Sequence, residues 1–178
     1  MKILLISQYF YPENFKINDL IFSLKKRGHQ ITVLTGKPNY SKTHFFEGYG
    51  WKSDDFETIN DIPVYRANLF SRRNGGAFRL FLNYISFAFL APLKLRKIKG
   101  SFDAIFVYQT SPVTVGIPAI FAKKLLKTPI YFWVQDLWPE SLTAAGGVNN
   151  KLVLGFFNSL TKWIYNHSKK VLIQSDGF

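Results

Sequence analysis

The chain has 178 residues, 47% of them hydrophobic, 17% aromatic and 19% charged; that composition builds a substantial core and excludes a disordered or collagen-like chain. Lys and Arg number 23 against 11 Asp and Glu, a formal net charge of +12, which points to a polyanionic partner such as nucleic acid, anionic lipid or a diphosphate. With no cysteine, a disulfide scaffold, a thiolate zinc site and cysteine catalysis are excluded, and the scatter of His29, His44 and His167 predicts no histidine metal site. The length suits one domain, or one lobe of a larger enzyme, and is tight for two.

In chain order, residues 2–7 (KILLIS) predict a short aliphatic strand at the very start, with no signal-peptide pattern before it, so a cytoplasmic location is expected. Phe15, Ile17, Leu20, Ile21 and Leu24 recur at helical spacing. Asn14 is placed to cap that helix, residues 25–27 to complement its dipole and Gly28 to stop it. Residues 30–35 (QITVLT) predict a second strand and complete a βαβ unit. Residues 37–51, with Pro38, Asn39, Gly48 and Gly50, read as a long loop. Short strands are expected over 56–59 and 64–67 around a turn at 60–63, and a helix from 76 to about 95. The βαβ pattern then returns as strand 104–108, helix 112–126 and strand 130–134, with Ser111 as a cap before Pro112 at the first helical position. An amphipathic helix over 151–166 and a strand over 170–174 end the series.

This alternation predicts an α/β fold, a Rossmann-like parallel sheet with helices on both faces. In such sheets ligands bind outside the carboxyl ends of the strands. That rule selects the loops 8–14, 36–40, 109–111, 135–141 and 175–177. They hold neutral hydrogen-bonding groups beside Tyr9, Tyr11, Tyr40 and Trp138, a lining suited to a sugar. For the tyrosines, packing over the sheet edge is an equal reading. The first loop, SQYFYPEN, has no glycine, and the second strand ends in Thr35 instead of an acid, which disfavours a dinucleotide site. No P-loop is present. The stretch 133–141 (WVQDLWPES) places Asp136, Glu140 and Trp138 at the mouth of a central strand and is the strongest candidate for chemistry. Glu140 also reads as a charge stabilising a helix start.

The opening KILLISQYFYPENFKINDLIFSLKKRGHQITVLTGKPNY, with WVQDLWPESL and the terminal VLIQSDGF, resembles glycosyltransferase family 4, with the closest likeness to N-acetyl-L-fucosamine transferases of O-antigen (lipopolysaccharide) and capsule assembly. The resemblance implies the N-terminal, acceptor-side lobe of a GT-B fold over residues 1–178. The C-terminal lobe, which binds the nucleotide-sugar donor and carries two spaced glutamates, is not in the sequence, so this lobe alone is expected to be inactive. It implies no cofactor, since the nucleotide-sugar is a substrate, and a retaining transfer in which the leaving diphosphate assists deprotonation of the acceptor. On this likeness Asp136 positions or polarises the acceptor and Gln135, where many members have histidine, orients the sugar. Tyr9, Tyr11, Glu13, Asn14, Asn18, Gln109, Thr110, Trp138 and Glu140 are the expected substrate contacts. Asn14 and Phe15 stand where many members have a glycine pair.

The implied acceptor is a saccharide on a polyprenyl diphosphate, at the inner face of the cytoplasmic membrane. Between Asp61 and Asp103 there is no acid, while Arg66, Arg72, Arg73, Arg79, Lys94, Arg96, Lys97 and Lys99 all fall there, bracketing an uncharged run of 14 residues, 80–93. That run is shorter than the roughly 20 residues a membrane-spanning helix needs. Two readings fit it: an interfacial helix with Arg72, Arg73, Arg79, Lys94, Arg96, Lys97 and Lys99 as membrane contacts, or a core helix with a solvated basic end. A nucleic-acid- or anion-binding module is the competing class, and it lacks any recognised motif here, so no nucleic acid is expected. Another Rossmann-like enzyme, such as a methyltransferase, is a third class, disfavoured by the glycine-poor first loop.

Overall fold

The computed structural model describes residues 1–40, 44–73, 76–146, 148–175 and 177, with 145 and 146 by their backbone alone. The elements run β1 (Lys2–Ile6), α1 (Lys16–Lys26), β2 (Gln30–Gly36), β3 (Phe56–Ile59), β4 (Ile62–Ala67), α2 (Ala77–Leu95), β5 (Ala104–Gln109), a 3₁₀ turn (Val113–Val115), α3 (Gly116–Leu126), β6 (Ile130–Val134), α4 (Glu140–Gly146), α5 (Lys151–His167) and β7 (Lys170–Leu172). Seven strands form one sheet in the order β3-β4-β2-β1-β5-β6-β7. All neighbours are parallel except β3 and β4. The chain winds outward from β1 in one direction and from β5 in the other, so the switch point lies between these two central strands.

Strand periodicity of two divides the core into two layers. Leu4 and Ile6 of β1 join Leu34, Ile105, Val107 and Phe132 under α2, α3 and α5, with Phe87, Ala91, Ala119 and Ile164 as the helical side of that layer. Leu5 instead joins Val33, Val64, Ile17 and Ile21 under α1. Two glycines allow close approaches. A Cβ on Gly36 would meet Leu69 Cδ2 at 2.5 Å and the Gln8 carbonyl oxygen at 2.9 Å, which fastens the end of β2 against the loop after β1. A Cβ on Gly116 would meet Ile164 Cγ2 at 2.5 Å, so α3 begins in contact with α5.

Several local expectations are corrected. Asn14 does not cap α1: Phe15 holds the cap position in extended conformation with no side-chain cap. The reason is that Asn18, one turn inside, staples the loop instead, accepting from the Tyr11 N–H at 3.1 Å and donating to the Glu13 carbonyl at 2.7 Å. Pro112 is extended (φ −101°, ψ 170°) and Ser111 caps nothing, so the α-helix begins later, at Gly116. The hairpin turn is only Asn60–Asp61, both at positive φ (49° and 59°), as a two-residue type I′ connection demands. β7 ends at Leu172, two residues early. Helix α5 has a side-chain cap, Asn150, which accepts from the N–H groups of Leu152 and Val153 at 2.9 and 3.3 Å. In the long loop after β2 the described residues form no helix or strand; residues 41–43 lie outside them.

The uncharged run 80–93 lies inside helix α2, which covers the residues expected to be helical. The helix has 19 residues with a mean hydropathy of 1.3, long and apolar enough to cross a membrane by length and composition. It nevertheless packs on β2, β4 and α3, burying Phe87, Ala88, Ala91 and Leu95. Pro92, near its end, does not break it. Its other face leaves Phe78, Phe81, Phe89 and Leu93 exposed.

Candidate functional site

The loops that leave the carboxyl ends of β1, β2, β5 and β6 gather at one edge of the sheet. On the β6 side, Asp136 follows the strand by two residues. Its Oδ2 accepts the Ser111 hydroxyl at 2.6 Å, and the Trp138 indole N–H donates to the same Ser111 oxygen at 3.4 Å. Ser111, from the β5 loop, thus joins the three residues in a relay: it donates to the carboxylate and accepts from the indole. Asp136 Oδ1 makes no hydrogen bond among the described residues. The relay lines a cleft of about 320 Å³ with Leu80 and Tyr84 of α2 and Ser141, Leu142 and Ala144 of α4. Trp138 forms a buried wall, edge-on to Phe157 with ring centres 5.2 Å apart.

On the β1 side the polar groups brace the mouth. Glu13 is buried and accepts three backbone N–H groups: Phe10 at 3.3 Å, Asn39 at 2.8 Å and Tyr40 at 2.7 Å. It therefore clamps the loop after β1 to the loop after β2. Burial pushes its carboxyl up to about 7, because desolvation outweighs the three N–H donors and the nearby Arg66, which favour the ionised form. Arg66, fully buried on β4, pairs with Glu57 and donates to the Gly36 carbonyl at 3.1 Å and to the Tyr11 carbonyl. Asn83 of α2 links both loops: it accepts from Gln8 Nε2 at 2.8 Å and donates to Asn39 Oδ1 at 3.0 Å.

An aromatic group fills the gap between these halves. Tyr9 stacks on Phe15 at 5.0 Å, and Tyr40 meets both edge-on at 5.3 and 4.8 Å. Arg72 lies over Tyr40 at 4.8 Å and 5.9 Å from the rings of both Tyr9 and Tyr84. Burial raises the phenols of Tyr9 and Tyr84, while the Arg72 charge acts the other way.

The structure thus sorts the residues expected from the sequence. Asp136 and Trp138 come together in the cleft. Gln135 does not: its amide oxygen accepts at 2.9 Å from Gln174, two residues past β7. Glu13 and Asn18 spend their polar atoms on the loop itself. Gln109 is buried, its amide donating to the carbonyls of Thr110 and Asp136. Tyr11 and Asn14 are exposed at the rim, and Glu140 is exposed at the first turn of α4, where its charge meets the helix dipole. Asp176, in the last shortlisted loop, lies outside the described residues. Of the expected membrane contacts, Arg72 turns into the mouth, while Lys94 and Lys97 both bind Asp55. Those two bonds hold the Asp55 carboxyl down at about 2. Sequence reading missed Ser111 and Tyr84. Ser111 stood in a shortlisted loop but its cap role masked it, and Tyr84 was hidden in an apolar run. Among the described residues no cluster of acidic or histidine side chains could hold a metal ion.

No family model matches the chain, and no curated protein matches it. Among solved structures it is similar to a sucrose-phosphate synthase from Thermosynechococcus elongatus, with a TM-score of 0.61 at 14% identity, over 98% of this chain and 42% of that one. The chain thus spans less than half the length of that protein. The likeness shows the fold, a Rossmann-like lobe of the GT-B glycosyltransferase type.

Proposed function

We propose that the chain is the acceptor-binding lobe of a retaining glycosyltransferase. It would serve O-antigen or capsule assembly, passing a sugar such as N-acetyl-L-fucosamine from a nucleotide-sugar to a saccharide on a polyprenyl diphosphate. The observation that carries this reading is the Asp136–Ser111–Trp138 relay in a cleft at the strand ends of a GT-B-type lobe. A carboxylate fixed by a hydroxyl that an indole holds in turn is suited to accept a hydrogen bond from an acceptor hydroxyl and keep its oxygen on the face of the anomeric carbon that the diphosphate leaves, as retention requires. In the transfer, the acceptor oxygen bonds to the anomeric carbon as the carbon–oxygen bond to the diphosphate breaks. The nucleoside diphosphate leaves with that electron pair and takes up the acceptor proton. The donor is held mainly by a second lobe, so no turnover is expected of residues 1–178 alone.

The membrane surface enters as part of this proposal. None of the 11 acidic residues lies on α2, α3 or α5. Their outer faces expose Phe78, Phe89, Phe121, Leu125, Leu152 and Phe156, and Arg96 and Lys99 stand exposed at the end of α2. Apolar groups among unopposed cations fit an anionic bilayer surface, with the chain peripheral at its cytoplasmic face.

The test is Asp136→Asn in a protein carrying both lobes. Turnover is expected to fall by roughly 10²-fold, with a smaller change in acceptor KM. Near-normal turnover would reject the role of Asp136.

A further inference from the structure

We infer that Arg72 anchors a binding site for a phosphoryl dianion, the diphosphate of a lipid-borne substrate, at the end of the cleft beside Tyr84. The guanidinium is held by construction. The Arg72 backbone N–H donates to Asn39 Oδ1 at 3.2 Å and fixes the start of the side chain, and the rings of Tyr9, Tyr40 and Tyr84, from three separate segments, lie 4.8 to 5.9 Å from the guanidinium. Those rings are themselves fixed: Tyr9 is 2% exposed and packed on Phe15, and Tyr84 stands one residue after Asn83, which is bonded into both mouth loops.

The charge is also unspent. The ion pairs among the described residues join Arg66 to Glu57 and Lys94 and Lys97 to Asp55; none includes Arg72. Glu13 and Asp136 are the acids whose fields reach this cluster, and neither is paired with it. Glu13 serves three backbone N–H groups and Asp136 serves Ser111. A guanidinium carries five N–H donors, and only one long contact, to the Tyr84 hydroxyl at 3.5 Å, engages its terminal nitrogens. Half-buried, aromatic-backed and without a carboxylate, the planar fork matches two phosphoryl oxygens at once.

Position selects the bearer of the phosphate. Tyr84 touches Arg72 and lines the same cleft as Asp136. The exposed Phe78 and Phe81 begin the outer stripe of α2 just after Arg72 in the chain. Sugar, diphosphate and prenyl chain would then meet Asp136, Arg72 and α2 in turn. The bearer rests on the function proposed above; the anion site does not.

The test is calorimetric titration of the chain with inorganic pyrophosphate, uridine diphosphate and farnesyl diphosphate. All three are expected to bind, farnesyl diphosphate about tenfold more tightly than pyrophosphate. Arg72→Gln should weaken each by about tenfold or more, Arg72→Lys by less because a point charge replaces the fork, and Lys26→Ala, at the exposed end of α1, by nothing. Thermal melting of each variant checks the fold, and Arg72→Lys carries the test if Arg72→Gln does not fold. Pyrophosphate binding that is absent, or unchanged in both Arg72 variants, would overturn the site. Equal affinity for farnesyl diphosphate and pyrophosphate would overturn the lipid-borne assignment and leave the anion site standing. A confirmed site in a two-lobe protein that transfers no sugar would instead sink the transferase reading.

Discussion

Glu13 is a carboxyl kept where its charge is costly, and its titration should be visible in folding. The folded value of about 7 lies above the ordinary 4.5. Between those limits the unfolded chain releases its proton while the folded chain retains it. Stability is therefore greatest below pH 4.5 and declines as pH rises to about 7, by about 3 kcal/mol from this group alone. Urea unfolding across pH 4–8 should record that decline. Glu13→Gln should flatten it, at a constant cost of about 1–2 kcal/mol because the amide NH₂ faces the Phe10 N–H. An unchanged slope in Glu13→Gln would remove Glu13 as its source. Nothing local in YPEN announces this role. The residue was legible as a polar group in a ligand-side loop, but its three donors come from residue 10 and from residues 39 and 40, which only the assembled sheet brings near.

At the scale of elements, periodicity did most of the work. Aliphatic runs such as 2–7 and 30–35 and the spacing of Ile17, Leu20 and Ile21 located strands and helices to within a residue or two, because burial against a sheet leaves a repeating trace in sequence. Caps and turns were less legible: Ser111 is a cap residue type drawn instead to Asp136, and Asn14 stands one residue outside the cap position, which Phe15 holds. The α3–α5 contact left no trace either, since Gly116 looks like any helical glycine. Gly116→Ala is expected to cost about 1–3 kcal/mol, because the new methyl meets Ile164. Adding Ile164→Ala should make the pair less destabilised than the sum of the single changes by about 0.5–3 kcal/mol. Chemical denaturation of the four proteins closes that cycle, and strict additivity would place the strain elsewhere.

For the whole molecule, one layer of helices is apolar inside and apolar outside, with no acid on it. Phe89 and Leu93 are 64% and 57% exposed, whereas Phe87, on the same helix, is fully buried. The double change Phe89→Ser, Leu93→Ser should reduce co-sedimentation with anionic vesicles by about tenfold or more while leaving thermal stability within a few degrees. Equal sedimentation of the two proteins would return α2 to a purely internal role. The mouth of the sheet is built unequally. Its β1 half is cross-braced by Arg66 and Glu13, which bind backbone atoms at the end of β2 and in the loops after β1 and β2, whereas its β6 half is tied to β5 and the loop after it by Gln109 and Ser111. A change in the first half would propagate through the brace and be purged; one in the second alters little beyond the cleft. Variation in the lining of the cleft is therefore channelled to Ser141, Leu142 and Ala144 of α4, a replaceable jaw set against a fixed one.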